Sequence, residues 1–197
     1  MARKRTQVLV EIALTVALAA VLYAVFHLWL PINAFGGEIA FTMVPIMVLS
    51  LRRGVVAGVI AGTLWGLLQA IAEPQFIAYP AQALLDYPIA FGLVGLTGLG
   101  SSAYRSAVER GRTGQAAWIA ALFSLIGAAA RFAAHVLSGV IFFGANAPAG
   151  QPVLLYAIVY NGTYILPSAL ISIPATVVVL LALERGVPST TVSPKGV

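Results

Sequence analysis

Apolar stretches alternate with short polar or breaker-rich segments along the whole chain. The apolar stretches cover residues 8–30, 40–51, 55–71, 82–104, 116–143 and 154–183. A helix crosses a bilayer with about 20 apolar residues, and most of these stretches approach or exceed that length. The second stretch is shorter and contains Pro45. The pattern therefore predicts an all-α membrane protein in which six transmembrane helices form a single integral membrane domain, residues 1–197.

Helix-breaking residues mark the ends of the apolar stretches. Segments 31–39 and 72–81 contain prolines, and the first also contains two glycines, so we expect loops there. Pro167 and Pro174 predict kinks within the last helix. The polar residues 184–197 predict a disordered tail. The first stretch is longer than the roughly 7–15 apolar residues of a signal peptide, which favours an uncleaved first helix.

Basic residues fall on one side of this arrangement. The chain has a mean hydropathy of +0.97, and only 9% of its residues are charged, with a net charge of +5. The polar segment 105–114 is expected to be a basic loop. Of the eleven basic residues in the chain, only Arg131 lies within a predicted span. The other ten are Arg3, Lys4, Arg5, Arg52, Arg53, Arg105, Arg110, Arg112, Arg185 and Lys195. By the positive-inside rule both termini are predicted to be cytoplasmic. The same rule explains the net positive charge without binding to nucleic acid.

Signatures of catalysis and metal binding are missing from the sequence. The chain has no cysteine, no HExxH motif, no GxSxG elbow and no GxxxxGK[ST] phosphate loop. An intramembrane hydrolase would need a serine opposite His135, whereas Ser138 lies on the same helix. We therefore predict no catalytic residue, no metal and no cofactor. Internal repeats, which many secondary transporters contain, are also not visible.

Polar and aromatic side chains are concentrated in segment 131–161. Arg131 and His135 are four residues apart, so on a helix they share a face with Gly139. Phe142 and Phe143 follow, then a loop, and the next helix opens with three further polar groups: Tyr156, Tyr160 and Asn161. This density indicates a binding site. Interfacial anchoring by aromatic residues, or a histidine satisfied within the core, remains open.

Carboxylates lie near the side opposite the basic residues. Asp86 is near the start of the fourth helix, and a charge within a span costs about 2.5–3.5 kcal/mol on insertion scales, so it usually has a partner. That partner is a ligand, the helix N-terminus or Arg131. The roles of Glu38 and Glu73, in the outward loops, stay open. Carboxylates and aromatics without cations on this side favour a cationic ligand.

Small residues form two further patterns. Glycines recur every fourth residue along the third helix and predict close approach of another helix. They are Gly54, Gly58, Gly62 and Gly66. Ala13 and Ala17 give the first helix a flat face, which indicates either packing within the domain or docking onto another membrane protein.

Several blocks of the sequence resemble the thiamine-specific substrate-binding subunits of energy-coupling factor transporters, the ThiT/YuaJ family. They read VEIALTVALA, VPIMVLSLRRG, GTLWGLLQ, LLDYPIAFGLVGL and RFAAHVLSGVIFFGANAPAGQPVLLYAIVYNGTYILP. The resemblance implies a prokaryotic, multi-pass cell membrane protein with six helices that captures thiamine at its outer face. It also implies partners, namely an energy-coupling module made of a transmembrane scaffold subunit and two ATPase subunits.

The resemblance implies roles for individual residues. The substrate-binding positions are Asp86, Tyr87, His135, Gly139, Phe143, Tyr156, Asn161, Phe35 and Phe76, and the docking positions are Ala13 and Ala17. Asp86 stands where the family has Glu, and Phe143 where it has Trp, so the acid is shorter and the stacking ring is weaker than in the family. A carboxylate and aromatic faces suit the permanent cation of the thiazolium ring, and His, Asn and Tyr suit the aminopyrimidine. A subunit for a thiamine precursor or another vitamin, or a self-sufficient secondary transporter, is the alternative.

Overall fold

The computed structural model describes residues 2–27, 37, 39 and 41–185. Six main helices make up this part of the chain, with short 3₁₀ turns at Pro74–Phe76 and Gly144–Asn146. The helices are α1 Ala2–His27, α2 Met43–Arg53, α3 Val55–Ala72, α4 Pro80–Glu109, α5 Thr113–Phe142 and α6 Val153–Arg185. Five of them, all except α2, are long and apolar enough to cross a membrane. Within the described ranges every regular element is helical. The predicted all-α membrane fold is therefore confirmed.

Several helices are longer than their apolar stretches. α4 continues to Glu109 and α5 begins at Thr113, so the predicted loop at 105–114 is wrong except for the short turn between them. Polar side chains at a helix end lie in water while the backbone hydrogen bonds continue, and hydropathy alone does not mark that end. α6 runs unbroken to Arg185 with Pro167 and Pro174 inside it. The predictions for 28–36 and for the tail beyond Arg185 lie outside the described residues.

The second helix is short and buried. α2 has 11 residues, about 16 Å of helix, whereas the hydrocarbon core of a bilayer is about 30 Å thick. Eight of its residues are buried. Met43 and Met47 lie in a core cluster with Trp65 of α3 and Phe91 of α4. At the end of α2, Arg53 donates two hydrogen bonds to the carboxylate of Glu11, at 2.5 and 2.6 Å, and so ties α2 to α1.

The fourth helix departs from regular α geometry next to its carboxylate. Residues Leu85–Ile89 form a wide π turn, in which the amide of Ala90 donates to the carbonyl of Leu85. Pro88 lies inside this turn and has no N–H to donate. Such turns are rare and are often found at functional sites. Here the turn sets the direction of Asp86 and Tyr87.

Glycines hold this part of α4 against α3. A Cβ at Gly62 would collide with the carbonyl oxygen of Phe91, and one at Gly66 would collide with the backbone of Tyr87. The close helix–helix approach expected from the glycine spacing is therefore confirmed. Because Gly66 abuts the π turn directly, the packing of the two helices fixes the position of that turn.

Candidate functional site

A cavity of about 540 Å³ lies among α3, α4, α5, α6 and the segments that connect them. This volume lies within the range of about 300–1,000 Å³ that is usual for small-molecule sites. The residues that line the cavity are Gly37, Gln69, Glu73, Phe76, Gln82, Asp86, Tyr87, Phe91, Arg131, His135, Ser138, Gly139, Phe143, Asn146, Pro148, Tyr156, Ala157, Tyr160, Asn161 and Tyr164.

The structure brings the substrate-binding residues expected from the sequence to this one cavity. Those in the described part of the chain are Phe76, Asp86, Tyr87, His135, Gly139, Phe143, Tyr156 and Asn161, and each lines it. Phe35 lies outside the described residues, although Gly37, two positions on, lines the cavity. Their roles toward a ligand stay predictions. The alternative of purely interfacial aromatics does not account for this convergence.

Asp86 lies between two polar neighbours. Its Oδ1 is 3.4 Å from Nδ1 of His135 on α5, and its Oδ2 accepts a hydrogen bond of 2.7 Å from Nε2 of Gln82, one turn earlier on α4. Its side chain is 14% exposed. The carboxylate is thus held in a fixed direction by two helices and still faces the cavity.

His135 takes part in a buried network with α6. The Tyr164 hydroxyl donates to Oδ1 of Asn161 at 2.5 Å and lies 3.3 Å from Nδ1 of His135. Nδ2 of Asn161 donates to the His135 carbonyl at 3.2 Å. With a proton on Nδ1, directed to Asp86 and Tyr164, the other ring nitrogen is an acceptor.

Nε2 of His135 is a buried polar atom without a hydrogen-bond partner among the described residues. Buried polar atoms in folded proteins nearly always have a partner, so an exception calls for an explanation. His135 lines the cavity, and Nε2 itself is covered by neighbouring atoms, so this nitrogen lies beside the cavity wall without facing the open space.

Gly139 gives α6 its close approach to α5. A Cβ at this position would lie 2.9 Å from the Ala157 side chain and 3.1 Å from Nδ2 of Asn161. Any larger residue would push Asn161 away from the carbonyl of His135. The glycine therefore keeps the two polar groups in register.

Aromatic rings form much of the remaining wall. The rings of Tyr156 and Tyr160, one turn apart on α6, have centroids 5.9 Å apart, and Tyr160 meets Tyr164 edge to face at 6.2 Å. Phe143 lies at the end of α5, and Phe76 lies in the short turn Pro74–Phe76. Such faces attract a ligand cation.

Arg131 lies one turn before His135 on α5 and is 3% exposed. Its guanidinium carbon lies 4.1 Å from the centroid of the Phe91 ring, a cation–π contact. This contact ties α5 to α4.

The sequence left the role of Glu73 open and did not name Gln82 or Tyr164 as site residues. Glu73 was assigned to a loop, but it caps the end of α3 and is 8% exposed. Gln69 lies four residues earlier on the same face, a spacing that could have pointed to it. Gln82, Tyr160 and Tyr164 also line the cavity.

The two alanines of α1 lie on its outer surface. Ala13 and Ala17 are exposed, whereas Ile12, Thr15 and Ala19 are buried. The interpretation that these alanines pack within the domain is therefore wrong, because the buried stripe of α1 runs along its other face. Docking onto a partner stays a prediction.

Known proteins resemble the chain over nearly its whole length. The family described as thiamine transporter protein (Thia_YuaJ) matches residues 9–188. The thiamine transporter ThiT of Bacillus subtilis is 41% identical over 165 residues, 83% of this chain and 84% of that protein. Its counterpart in Lacticaseibacillus paracasei is 35% identical over 196 residues, 98% of this chain and 94% of that protein.

A solved structure agrees with the fold. ThiT from Listeria monocytogenes superposes with a TM-score of 0.80 at 32% identity and covers 92% of this chain and 97% of its own. The relatives are transporters rather than enzymes. With the match at residues 9–188, these similarities show that the chain belongs to the thiamine transporter family, Thia_YuaJ, whose members are membrane proteins without enzymatic activity.

Proposed function

We propose that the protein is the high-affinity, thiamine-binding subunit of an energy-coupling factor transporter and captures the vitamin at the outer face of the cell membrane. The observation that carries the proposal is one cavity lined by the carboxylate of Asp86, the imidazole of His135 and several aromatic rings. Family membership supports the same ligand.

The groups around the cavity match the two halves of thiamine. The thiazolium ring carries a permanent positive charge, which a carboxylate and the faces of Phe143 and Tyr156 stabilise. The aminopyrimidine has donors and acceptors that suit His135 and Asn161. Thiamine is here the transported ligand, and we propose that the protein needs no cofactor of its own.

Transport requires partners in this proposal. The sequence contains no phosphate-binding loop, so we assign ATP hydrolysis to two separate ATPase subunits that act through a membrane scaffold subunit. The exposed small-residue face at Ala13 and Ala17 is the proposed docking surface, because small side chains let another helix approach closely. The basic residues favour cytoplasmic termini and an outward cavity.

Titration calorimetry on the purified protein tests the ligand. We expect thiamine to bind more tightly than its isolated pyrimidine or thiazolium half, because each half makes only part of the contacts that the whole molecule makes with the cavity. If the pyrimidine half bound as tightly as thiamine, the protein would instead be a precursor-binding subunit.

Uptake by proteoliposomes tests the dependence on partners. With the protein alone we expect binding but no accumulation of thiamine against a gradient, and accumulation only when the energy-coupling subunits and ATP are present. Concentrative uptake by the protein alone would identify a secondary transporter and refute the proposal.

A further inference from the structure

Glu73 is a second carboxylate of the cavity and is surrounded by donors. The hydroxyl of Tyr23 on α1 donates to its Oε1 at 2.9 Å. Nε2 of Gln69 and the hydroxyl of Tyr87 donate to its Oε2 at 3.3 and 3.4 Å. Three donors from three helices suit an ionised carboxylate, which can only accept. Glu73 is thus buried, oriented and part of the cavity wall.

The charge of Glu73 determines the net charge of the described cavity lining. Among the described residues that line it, the charged side chains are Glu73, Asp86 and Arg131. With His135 neutral, the charges of Asp86 and Arg131 cancel, and Glu73 leaves the described part of the cavity lining with one net negative charge. Charges in a poorly solvated cavity interact far more strongly than in water. The net charge therefore affects which ligand binds.

We propose that Glu73 is a specificity-determining residue that makes the cavity select a ligand with one positive charge, and that Tyr23 and Gln69 hold it in place. The proposal rests on the proposed function, since it concerns the cationic half of thiamine in the same cavity. Without Glu73 the described part of the lining would be close to neutral, and the advantage of a cation over an uncharged molecule of the same shape would fall.

A purely structural role is the competing explanation. The hydrogen bonds of Glu73 connect α1, α3 and α4, so the residue could serve only to join helices. In that case its loss would affect all ligands of the cavity alike. A charge-selecting role affects the cationic ligand alone, which makes the two roles separable with a pair of ligands.

The test compares thiamine with an isostere in which an uncharged thiophene replaces the thiazolium ring. Calorimetry on Glu73→Gln is expected to show thiamine affinity at least about tenfold weaker, with the affinity of the isostere unchanged within about twofold. The stoichiometry reports the folded fraction separately. The matched control is Glu109→Gln, an exposed position at the other end of α4, where neither affinity should change.

Two conservative variants complete the test. Glu73→Asp keeps the charge and should keep the preference for thiamine within about threefold, and it serves also if Glu73→Gln does not fold. Tyr23→Phe removes one donor but leaves the carboxylate, so only a small loss of thiamine affinity is expected.

Three outcomes would overturn the inference. They are equal losses of affinity for both ligands in Glu73→Gln, no loss for either ligand in that variant, or loss of the preference for thiamine in folded Glu73→Asp. If the unmodified protein did not bind thiamine at all, the proposed function itself would fail.

Discussion

Replacing Asp86 with Asn tests whether the charge of this side chain binds the ligand. Asn has the shape of Asp and retains an oxygen that can accept the hydrogen bond from Gln82, which is 2.7 Å long in the native protein. Its amide nitrogen would then face Nδ1 of His135, which lies 3.4 Å from Oδ1 of Asp86, and two donors would meet there unless the ring proton moved to Nε2. The contact with Gln82 persists and the contact with His135 is weakened, so the substitution removes the charge with little change in shape.

The expected loss follows from the burial of the site. Asp86 is 14% exposed, so a ligand cation beside it is partly desolvated. Two unit charges 4 Å apart interact by about 4 kcal/mol at an effective dielectric constant of 20. Losing one partner of a desolvated charged contact costs about 2–5 kcal/mol. Because Asn keeps a hydrogen bond, we expect the lower part of this range, about 2–3 kcal/mol, or thiamine binding about 30-fold to 150-fold weaker.

Calorimetry on purified, folded Asp86→Asn measures this loss directly. Thermal unfolding of the same sample without ligand separates stability from binding. Asp86→Glu, which keeps the charge, is the matched control and should bind within about tenfold of the native protein. If Asp86→Asn lowered stability but bound thiamine within about twofold of the native affinity, below ~0.5 kcal/mol, the role of Asp86 would be structural and the reasoning refuted.

Three further predictions concern docking, the aromatic wall and helix packing. Ala13→Trp or Ala17→Trp should prevent assembly with the coupling subunits in co-purification but leave thiamine affinity near normal, whereas loss of affinity would contradict a role confined to docking. Phe143→Trp should increase the quenching of tryptophan fluorescence by thiamine, because no described native tryptophan lines the cavity. Strong quenching in the native protein would contradict this. Gly62→Ala should lower stability by about 1–3 kcal/mol in thermal unfolding, because its Cβ meets the α4 backbone. Gly114→Ala, with nothing within 4 Å, should not.

The hydrophobic pattern by itself determined the fold class. The lipid interior has no hydrogen-bonding solvent, so an apolar stretch long enough to cross it has to be helical, and length and composition decide the outcome. For the same reason the pattern predicted the bounds of α3, α5 and α6 to within about three residues, yet missed the continuation of α4 to Glu109. Beyond the lipid, water satisfies polar side chains on a helix as well as in a loop.

Part of the site could also be predicted from the chain. His135 and Gly139 are one turn apart, so the helical period alone puts them on one face. Asp86 was marked by the cost of a charge within an apolar stretch. The resemblance to a known family then implied the other substrate-binding positions. All of these positions that lie in the described part of the chain line the cavity. Both signals, the helical period and the cost of burying a charge, arise within one helix. There the distance between two residues along the sequence indicates their distance in space.

Only the tertiary structure decided the position of Glu73. Its three donors come from α1, α3 and α4, and two of them are 50 and 14 residues away along the chain. A hydropathy pattern assigns such a residue to a polar loop, because the pattern contains no information on which helices converge around that residue. The exposure of Ala13 and Ala17 was equally undetermined, since small residues suit an internal contact and an external one alike. Which of the two occurs depends on how α1 packs against the rest of the protein.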